Sequence, residues 1–290
     1  MLKTSKVLLS VFLIVILFGG CNSENRKLKI SVNSWIGYMP IFYLKERGIL
    51  TDKIEFISVV SLGESINLFK FGSVDGFTGT QYEYNSIKDI EDLSLVMLFD
   101  RSNGGDAILS NIPIDKIKSS DLKVSAYMEA DSINSVLFDY FIKKHKLKNS
   151  KFDIKDQDQI SISKLQPSIE PSIISTYNPY LTTLQKSGWK VISSSREKDM
   201  IIFDGLFIQS NLVADNIKTL KELKVEIDRA IEFLEENPKE FYQTVKKYMQ
   251  GESYKEFLVS LSDIEWINMD NNSVLKEINN HHIDIDKIIK

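Results

Sequence analysis

The sequence predicts an α/β protein of two domains, each built on an open, mostly parallel sheet. Three observations carry this. Strand-like and helix-like patterns alternate as βαβαβ over residues 28–80, an order that sets parallel strands side by side with helices on their faces. The same grammar returns between residues 95 and 204. The chain has 290 residues; without an N-terminal export segment roughly 270 remain, above the size at which a single core keeps growing.

Residues 28–33, Leu-Lys-Ile-Ser-Val-Asn, alternate apolar and polar as a strand does. Trp35, Gly37 and Tyr38 break the pattern, and Pro40 opens a helix through Lys45. Residues 53–60 read as the next strand and 64–71 as a helix. Residues 74–77 form a third strand that ends in Thr78, Gly79 and Thr80. Open sheets of this order bind ligands in the crevice outside the carboxyl ends of their strands, which draws attention to the Trp35–Tyr38 and Thr78–Thr80 loops.

In the middle of the chain, residues 95–99 read as a strand, followed by a loop from Asp100 to Asp106 and apolar residues 107–109. Gly104 and Gly105 in that loop suit a hinge or a close approach to ligand. Residues 123–127 predict a strand with residues 128–131, including Glu129, as its exit loop, and Ser132 starts a helix to about Lys144. Residues 172–176 lead into Tyr177-Asn178-Pro179-Tyr180, Val191 and Ile192 begin a further strand, and residues 201–203, ending in Asp204, form a return crossing. The C-terminal third reads as helical. Asn237-Pro238-Lys239-Glu240 offers an N-cap, a first-turn Pro and a Glu at N3; Phe241, Val245, Tyr248 and Met249 make one apolar face suited to a core.

At the N-terminus, Lys3 and Lys6 precede an apolar run over residues 7–18 that ends in Gly19, Gly20 and Cys21. A helix over that run is about 18 Å long, too short for a hydrocarbon core of about 30 Å. Residues 1–20 therefore read as a cleaved signal peptide. The ending resembles a bacterial lipobox, in which the cysteine becomes the diacylated first residue; Cys21 is then the lipid anchor and residues 21–26 a polar tether.

Composition excludes several function classes. Cys21 is the only cysteine, so an intrachain disulfide, a thiolate metal cluster and a CxxC redox pair are all absent. His145, His281 and His282 are the only histidines; they lie in polar contexts that read as solvated, and 281 and 282 cannot share a helix face. Neither a cofactor nor a metal is expected. A net charge of -4 supplies no basic footprint for nucleic acid, and the Lys-rich stretch 143–148 reads as a solvated helix end.

Ser34-Trp35-Ile36-Gly37-Tyr38-Met39-Pro40, with Tyr43, Lys45, Glu46, Gly48 and Ile49 after it, resembles the opening of the nitrate/sulfonate/taurine-type substrate-binding proteins of ABC importers. Gly72-Ser73-Val74-Asp75-Gly76, the Asp100–Asp106 segment, Asp121-Leu122-Lys123, Asn178-Pro179-Tyr180-Leu181 and residues 193–204 extend the likeness in order over most of the mature chain. The resemblance implies a type II periplasmic-binding-protein fold with two chain crossings and a ligand cleft between domains: domain 1 over residues 27–105 plus 202–290, domain 2 over 106–201. It also implies ABC permease subunits as partners, an exported protein held to the cell membrane by its lipid on the periplasmic face or outer surface, and a monomer that is not an enzyme. Two departures stand out. The usual Gly-Lys after Asp-Leu-Lys is missing before Val124, and Tyr177-Asn178-Pro179 replaces Trp-Glu-Pro, which removes a carboxylate near the cleft.

The loops themselves suggest the ligand. Trp35, Tyr38 and Tyr177 offer aromatic surface for an organic molecule or an amine-bearing group. Thr78, Gly79 and Thr80 precede a helix N-terminus, where hydroxyls and free N–H groups hold oxygens. Asn103, Gly104, Asp106, Glu129 and Asp204 complete the expected ligand contacts. With Asp100 counted too, carboxylates outnumber Arg101, the one basic residue of these loops, so a cationic or zwitterionic organic ligand is expected over a bare anion. Each of these residues has a plainer role open to it: packing for the aromatics, Asx-type hinge contacts for the aspartates, solvation for Glu129, capping for the threonines. A ligand-sensing lipoprotein without a transport role and an enzyme on the same fold are the alternatives; no nucleophile, metal set or acid/base pair is visible for the latter.

Overall fold

The computed structural model describes residues 26–290 apart from 120, 198–199, 268–271, 285–286 and 290. The signal peptide, Cys21 and all of the tether but residue 26 lie outside the described residues. The chain opens with β1 (Leu28–Val32), a 3-10 turn over Ile36–Tyr38, α1 (Met39–Arg47), β2 (Ile54–Ser58), α2 (Leu62–Lys70), β3 (Gly76–Thr80), α3 (Gln81–Ile87) and β4 (Leu93–Ser102). It then crosses into a second lobe of β5 (Asp106–Ser110), α4 (Ile114–Ser119), β6 (Val124–Met128), α5 (Ile133–Lys144), β7 (Phe152–Asp156), α6 (Gln159–Ile162), β8 (Ser172–Tyr177), α7 (Tyr180–Lys186) and β9 (Lys190–Ser194). It returns through β10 (Phe203–Gln209) and ends in α8 (Ser210–Glu236), α9 (Pro238–Val245), α10 (Tyr254–Leu261), β11 (Ile264–Trp266) and α11 (Asn272–Asn280).

The strands form two sheets, one in the order β11-β4-β10-β3-β1-β2 and one in the order β7-β6-β8-β5-β9. Only β1–β2, β1–β3, β6–β7 and β6–β8 are parallel; β10 runs antiparallel to β3 and β4, β11 to β4, and β5 to β8 and β9. The expectation of mostly parallel sheets is corrected: both sheets are mixed, because a chain that leaves by β4–β5 and returns by β9–β10 enters each sheet against the direction of its parallel strands.

Two loop assignments also change. Asp100 and Arg101 belong to β4, which runs on to Ser102, and Asp204 is the second residue of β10 rather than the exit of a strand. Both are consequences of pairing across 104 positions, since Asp204 sits opposite Asp100 in the ladder. Thr78, Gly79 and Thr80 are themselves strand residues, and the Thr80 hydroxyl then caps α3 in a capping box with Glu83.

The helices pack as amphipathic faces should. Tyr43 of α1 stacks on Phe241 of α9 at 4.6 Å between ring centroids and on Phe233 of α8 at 5.3 Å, contacts worth about 0.5–1.5 kcal/mol each beyond their buried area. Phe241, Val245 and Met249 are fully buried, as their spacing predicts, while Tyr248 is half-buried against Phe42. Asn237 starts α9 with Pro238 in its first turn, yet its side chain makes no capping hydrogen bond; the residue also ends α8, and its backbone bonds Phe233. His281 is a further correction: rather than solvated, it is half-buried against the Tyr82 ring, with Asn85 and Glu277 bonded to its nitrogens.

Candidate functional site

The sheet registers bring carboxylates together. In the first lobe Thr80, Asp204 and Asp100 are neighbours in one row across β3, β10 and β4. In the second lobe Asp106 sits opposite Tyr177 on β5 and β8. The two rows face each other across a closed cleft. Asn33, Trp35, Leu62, Thr80 and Asp204 line its chamber from the first lobe, and Asp106, Ile133 and Tyr177 from the second. The chamber measures about 10 Å³, room for about one water molecule. Among the described residues no lysine, arginine or histidine lines it.

Trp35 is held from two sides. Its indole N–H donates to both Asp100 carboxylate oxygens at 3.2 and 3.3 Å, and its ring meets Tyr177 edge-on at 6.0 Å. Gly37 permits this arrangement, because a Cβ there would overlap the Asp100 carboxylate and lie 2.7 Å from Trp35 Nε1. Gly105 does the same on the far side, where a Cβ would lie 2.5 Å from Trp35 Cη2. The Tyr38 hydroxyl donates to Asp204, and its ring packs edge-on to Phe99. Asn33 Nδ2 donates to the Tyr177 hydroxyl at 3.2 Å, and the Ser34 and Tyr180 hydroxyls bond at 3.2 Å; these four polar groups tie β1 to the second lobe.

Burial dominates the electrostatics. It raises Asp100 and Asp204 well above the usual carboxylate range, with each aspartate's charged neighbours adding to it and the Trp35 and Tyr38 hydrogen bonds opposing it. Burial pushes Asp106 up to about 7 and Glu129 up to about 8, with Glu83 adding repulsion to both. The same cause, followed by the Asp204 charge, holds the Tyr38 phenol well above its ordinary value. Arg101 does not relieve this charge. It alternates with Asp100 along β4, so the two point to opposite faces, and it pairs with Glu265 at 3.7 Å.

Among the described residues no group of three or more His, Cys, Asp or Glu side chains is placed to hold a metal ion, and no helix is long and apolar enough to cross a membrane. No family model matches the sequence, and no curated protein does. Solved structures do match. The ligand-binding component of an ABC-type import system from Staphylococcus aureus, with zinc bound, superposes with a TM-score of 0.69 at 13% identity, covering 91% of this chain and 96% of that one. The periplasmic aliphatic sulphonate binding protein of Escherichia coli gives 0.67 at 12% identity over 89% and 91% of the two chains. A Candida albicans protein described as having the generic periplasmic binding protein fold gives 0.65 at 14% identity over 89% and 96%. This chain has the periplasmic-binding-protein fold.

The two crossings between the lobes are stitched together. Ser195 Oγ accepts from Gly104 N–H at 2.8 Å and bonds Ser102 Oγ at 2.7 Å, while Asp106 N–H donates to Ser102 Oγ at 3.2 Å. Gly104 has φ of 121°, a backbone state that side-chain-bearing residues rarely adopt. Asn103 turns outward to Glu265 at 2.9 Å. So Asn103 and Gly104 lie in the crossing rather than on the chamber. Tyr38, Thr78 and Gly79 are not on its lining, Glu129 lines a separate groove, and Trp35, Thr80, Asp106, Tyr177 and Asp204 are on it.

Several site residues escaped the sequence reading. Glu83 Oε2 accepts from Thr80 N–H at 2.8 Å and Thr80 Oγ1 at 2.5 Å, and its Oε1 reaches across the cleft to the Ile133 N–H at 2.7 Å. It thus ties two chamber-lining residues from opposite lobes. Thr80-Gln81-Tyr82-Glu83 is a visible capping-box signature, but the third bond is tertiary. Asp263 is a second bridge. Its carbonyl accepts from Asn103 and Gly105 N–H at 2.7 and 3.1 Å, and its carboxylate takes Asn178 Nδ2 at 3.1 Å and the Arg196 guanidinium.

Proposed function

We propose that this chain is the solute-binding component of an ABC importer, exported and lipid-anchored through Cys21, which closes its two lobes on a small cationic or zwitterionic organic molecule and presents it to the permease subunits. One observation carries the ligand class: Asp106 and Asp204 line a chamber walled by Trp35 and Tyr177 in which, among the described residues, no basic side chain stands. A buried carboxylate wants a partner of opposite charge, and an ammonium against an indole face gains a cation–π contact as well. An anion meets the Asp106 and Asp204 carboxyls and no cation among the described lining residues. The lobes, taken as residues 27–105 plus 202–290 and 106–201, would move as bodies about Gly104-Gly105 and the segment before β10.

A thermal-shift panel tests this reading. Amines, amino-acid derivatives, sulfonates and nitrate are added singly to the mature protein. A ligand at a hundred times its Kd adds about 2.7 kcal/mol of stability. Cations or zwitterions should raise the melting temperature, and nitrate and the sulfonates should leave it unchanged. A shift with sulfonates or nitrate alone overturns the assignment.

A further inference from the structure

Immediately outside the chamber lies a groove of about 680 Å³, formed by both lobes. Chamber and groove stand back to back across the first turn of α2: Leu62 lines the chamber, whereas Ser61 and Gly63 line the groove. The second lobe repeats the arrangement, with Ile133 on the chamber and Glu129 and Asp131 on the groove. Glu64, Asp156 and Asp158 add further carboxylates, against Lys70 as the basic residue of the lining.

The acidic lining alone says little, because most of it has structural work. Glu64 accepts the Val60 N–H at 2.9 Å, Asp156 accepts the Ala130 N–H at 2.9 Å, and Asp158 caps α6 through Ser161. Glu129 is different. It is 4% exposed, and both its carboxylate oxygens are buried without a hydrogen-bond partner. The Ser61 hydroxyl and the Gly63 N–H lie close enough to oppose the rise that burial causes, but neither completes a hydrogen bond to the carboxylate. A buried carboxylate left without a donor is costly, and a native site that holds one is built for something that supplies donors.

We propose that the cleft takes an elongated organic dication or oligoamine, with one ammonium in the chamber between Asp106 and Asp204 and a second on Glu129 at the head of the groove. This rests on the cationic reading of the chamber and specifies the substrate class. A single ammonium pairs with the inner carboxylates and leaves Glu129 unpaired; a second, separated from the first by a methylene chain, satisfies it. The chain between them passes the apolar ridge of Leu62 and Ile133, where methylenes are at no disadvantage.

Titration calorimetry on the mature protein with butylamine, diaminopropane, putrescine, cadaverine and spermidine tests the assignment. In the wild type at least one of the di- or triamines should bind about tenfold or more tightly than butylamine, as expected for a buried charge pair added to the complex. Glu129→Gln should erase most of that advantage, read as the ratio of diamine to butylamine affinity so that any change in closure cancels, and Asp204→Asn should weaken every amine. If butylamine equals the longer amines, or if Glu129→Gln weakens mono- and diamines alike, the outer subsite is wrong and Glu129 serves only closure onto α2; the cationic chamber then stands. If no amine binds, both readings fall.

Discussion

Raising the pH should open the ligand-free protein. Burial holds Asp106 at about 7 and Glu129 at about 8 in the closed form, whereas in an open, hydrated cleft both return toward the ordinary carboxylate range near 4. The closed form therefore binds more protons than the open one. Closure is favoured at low pH, and that support is lost as pH rises through about 7 and about 8. Between about pH 6 and pH 9 the linkage amounts to about 1.4 kcal/mol for Asp106 and about 2.7 kcal/mol for Glu129, taking about 1.36 kcal/mol per pKa unit. Together that is roughly 4 kcal/mol against closure, and about 2 kcal/mol if water screens half of it, so the closed-to-open ratio should fall about thirtyfold to a thousandfold. Spin labels at Asn67→Cys and Gln157→Cys, exposed on opposite lips of the groove, in a chain lacking Cys21, report the lip-to-lip distance by pulsed dipolar spectroscopy. The long-distance population should grow with pH, and an Asp106→Asn, Glu129→Gln variant should show a smaller pH dependence, with Asp204 keeping its own share. A distance distribution unchanged from pH 6 to 9, or one that shortens, would refute the reasoning.

Three further outcomes follow from the geometry. Glu83→Gln puts an amide N–H₂ among the donors Thr80 N–H, Thr80 Oγ1 and Ile133 N–H; hydrogen exchange at the Ile133 amide should accelerate about ten- to a hundredfold, from a loss of about 1–3 kcal/mol. Gly37→Ala drives a methyl into Asp100 and against Trp35 Nε1, so calorimetric unfolding should report about 1–3 kcal/mol of destabilisation, with Trp35 fluorescence altered; an unchanged melting temperature contradicts the packing described. Cys21→Ser should release the mature protein from the membrane fraction or leave it unprocessed, since a single apolar run lost on cleavage precedes it; processed protein still in the membrane fraction argues against the anchor.

The elements that carry their own periodicity were legible. Residues 28–33 alternate and make β1, Pro40 starts α1, Ser132 caps α5, and the Asp-rich stretch from residue 100 does lead into a crossing. Strand β7 was not, because it is an edge strand with Phe152 alone buried, so it lacks the apolar alternation a paired face imposes. The site was legible by type more than by contact. Trp35, Thr80, Asp106, Tyr177 and Asp204 come together on one chamber, as residues at strand ends and crossings of an open sheet are placed to do. That Asp100 and Asp204 share a row, that Glu83 reaches Ile133, and that Asp263 gathers Asn178 and Arg196 all depend on pairings 50 to 104 residues apart, which no local pattern encodes.

The absence of a cation among the described residues of the chamber wall has a consequence for how such a protein would work. If a lysine or arginine of the chain neutralised Asp106 and Asp204, closure would be equally easy with and without ligand. Instead the carboxylates can be accommodated in two ways, by taking up protons or by gaining a cationic ligand. Near neutral pH proton uptake is only partial at Asp106, which sits at about 7, whereas burial also favours the protonated forms of Asp204 and Glu129, and uptake recedes as the pH rises. On the proposed reading the ligand is therefore the missing counter-ion, and its charge does two jobs at once. It supplies binding energy, and it removes the electrostatic penalty that Glu83, Asp100, Asp106, Glu129 and Asp204 place on bringing the lobes together. A ligand shifts a conformational equilibrium only by its differential affinity for the two states, and a cation seated between carboxylates from opposite lobes has that difference built in, because Asp106 and Asp204 flank it together only when the cleft is shut.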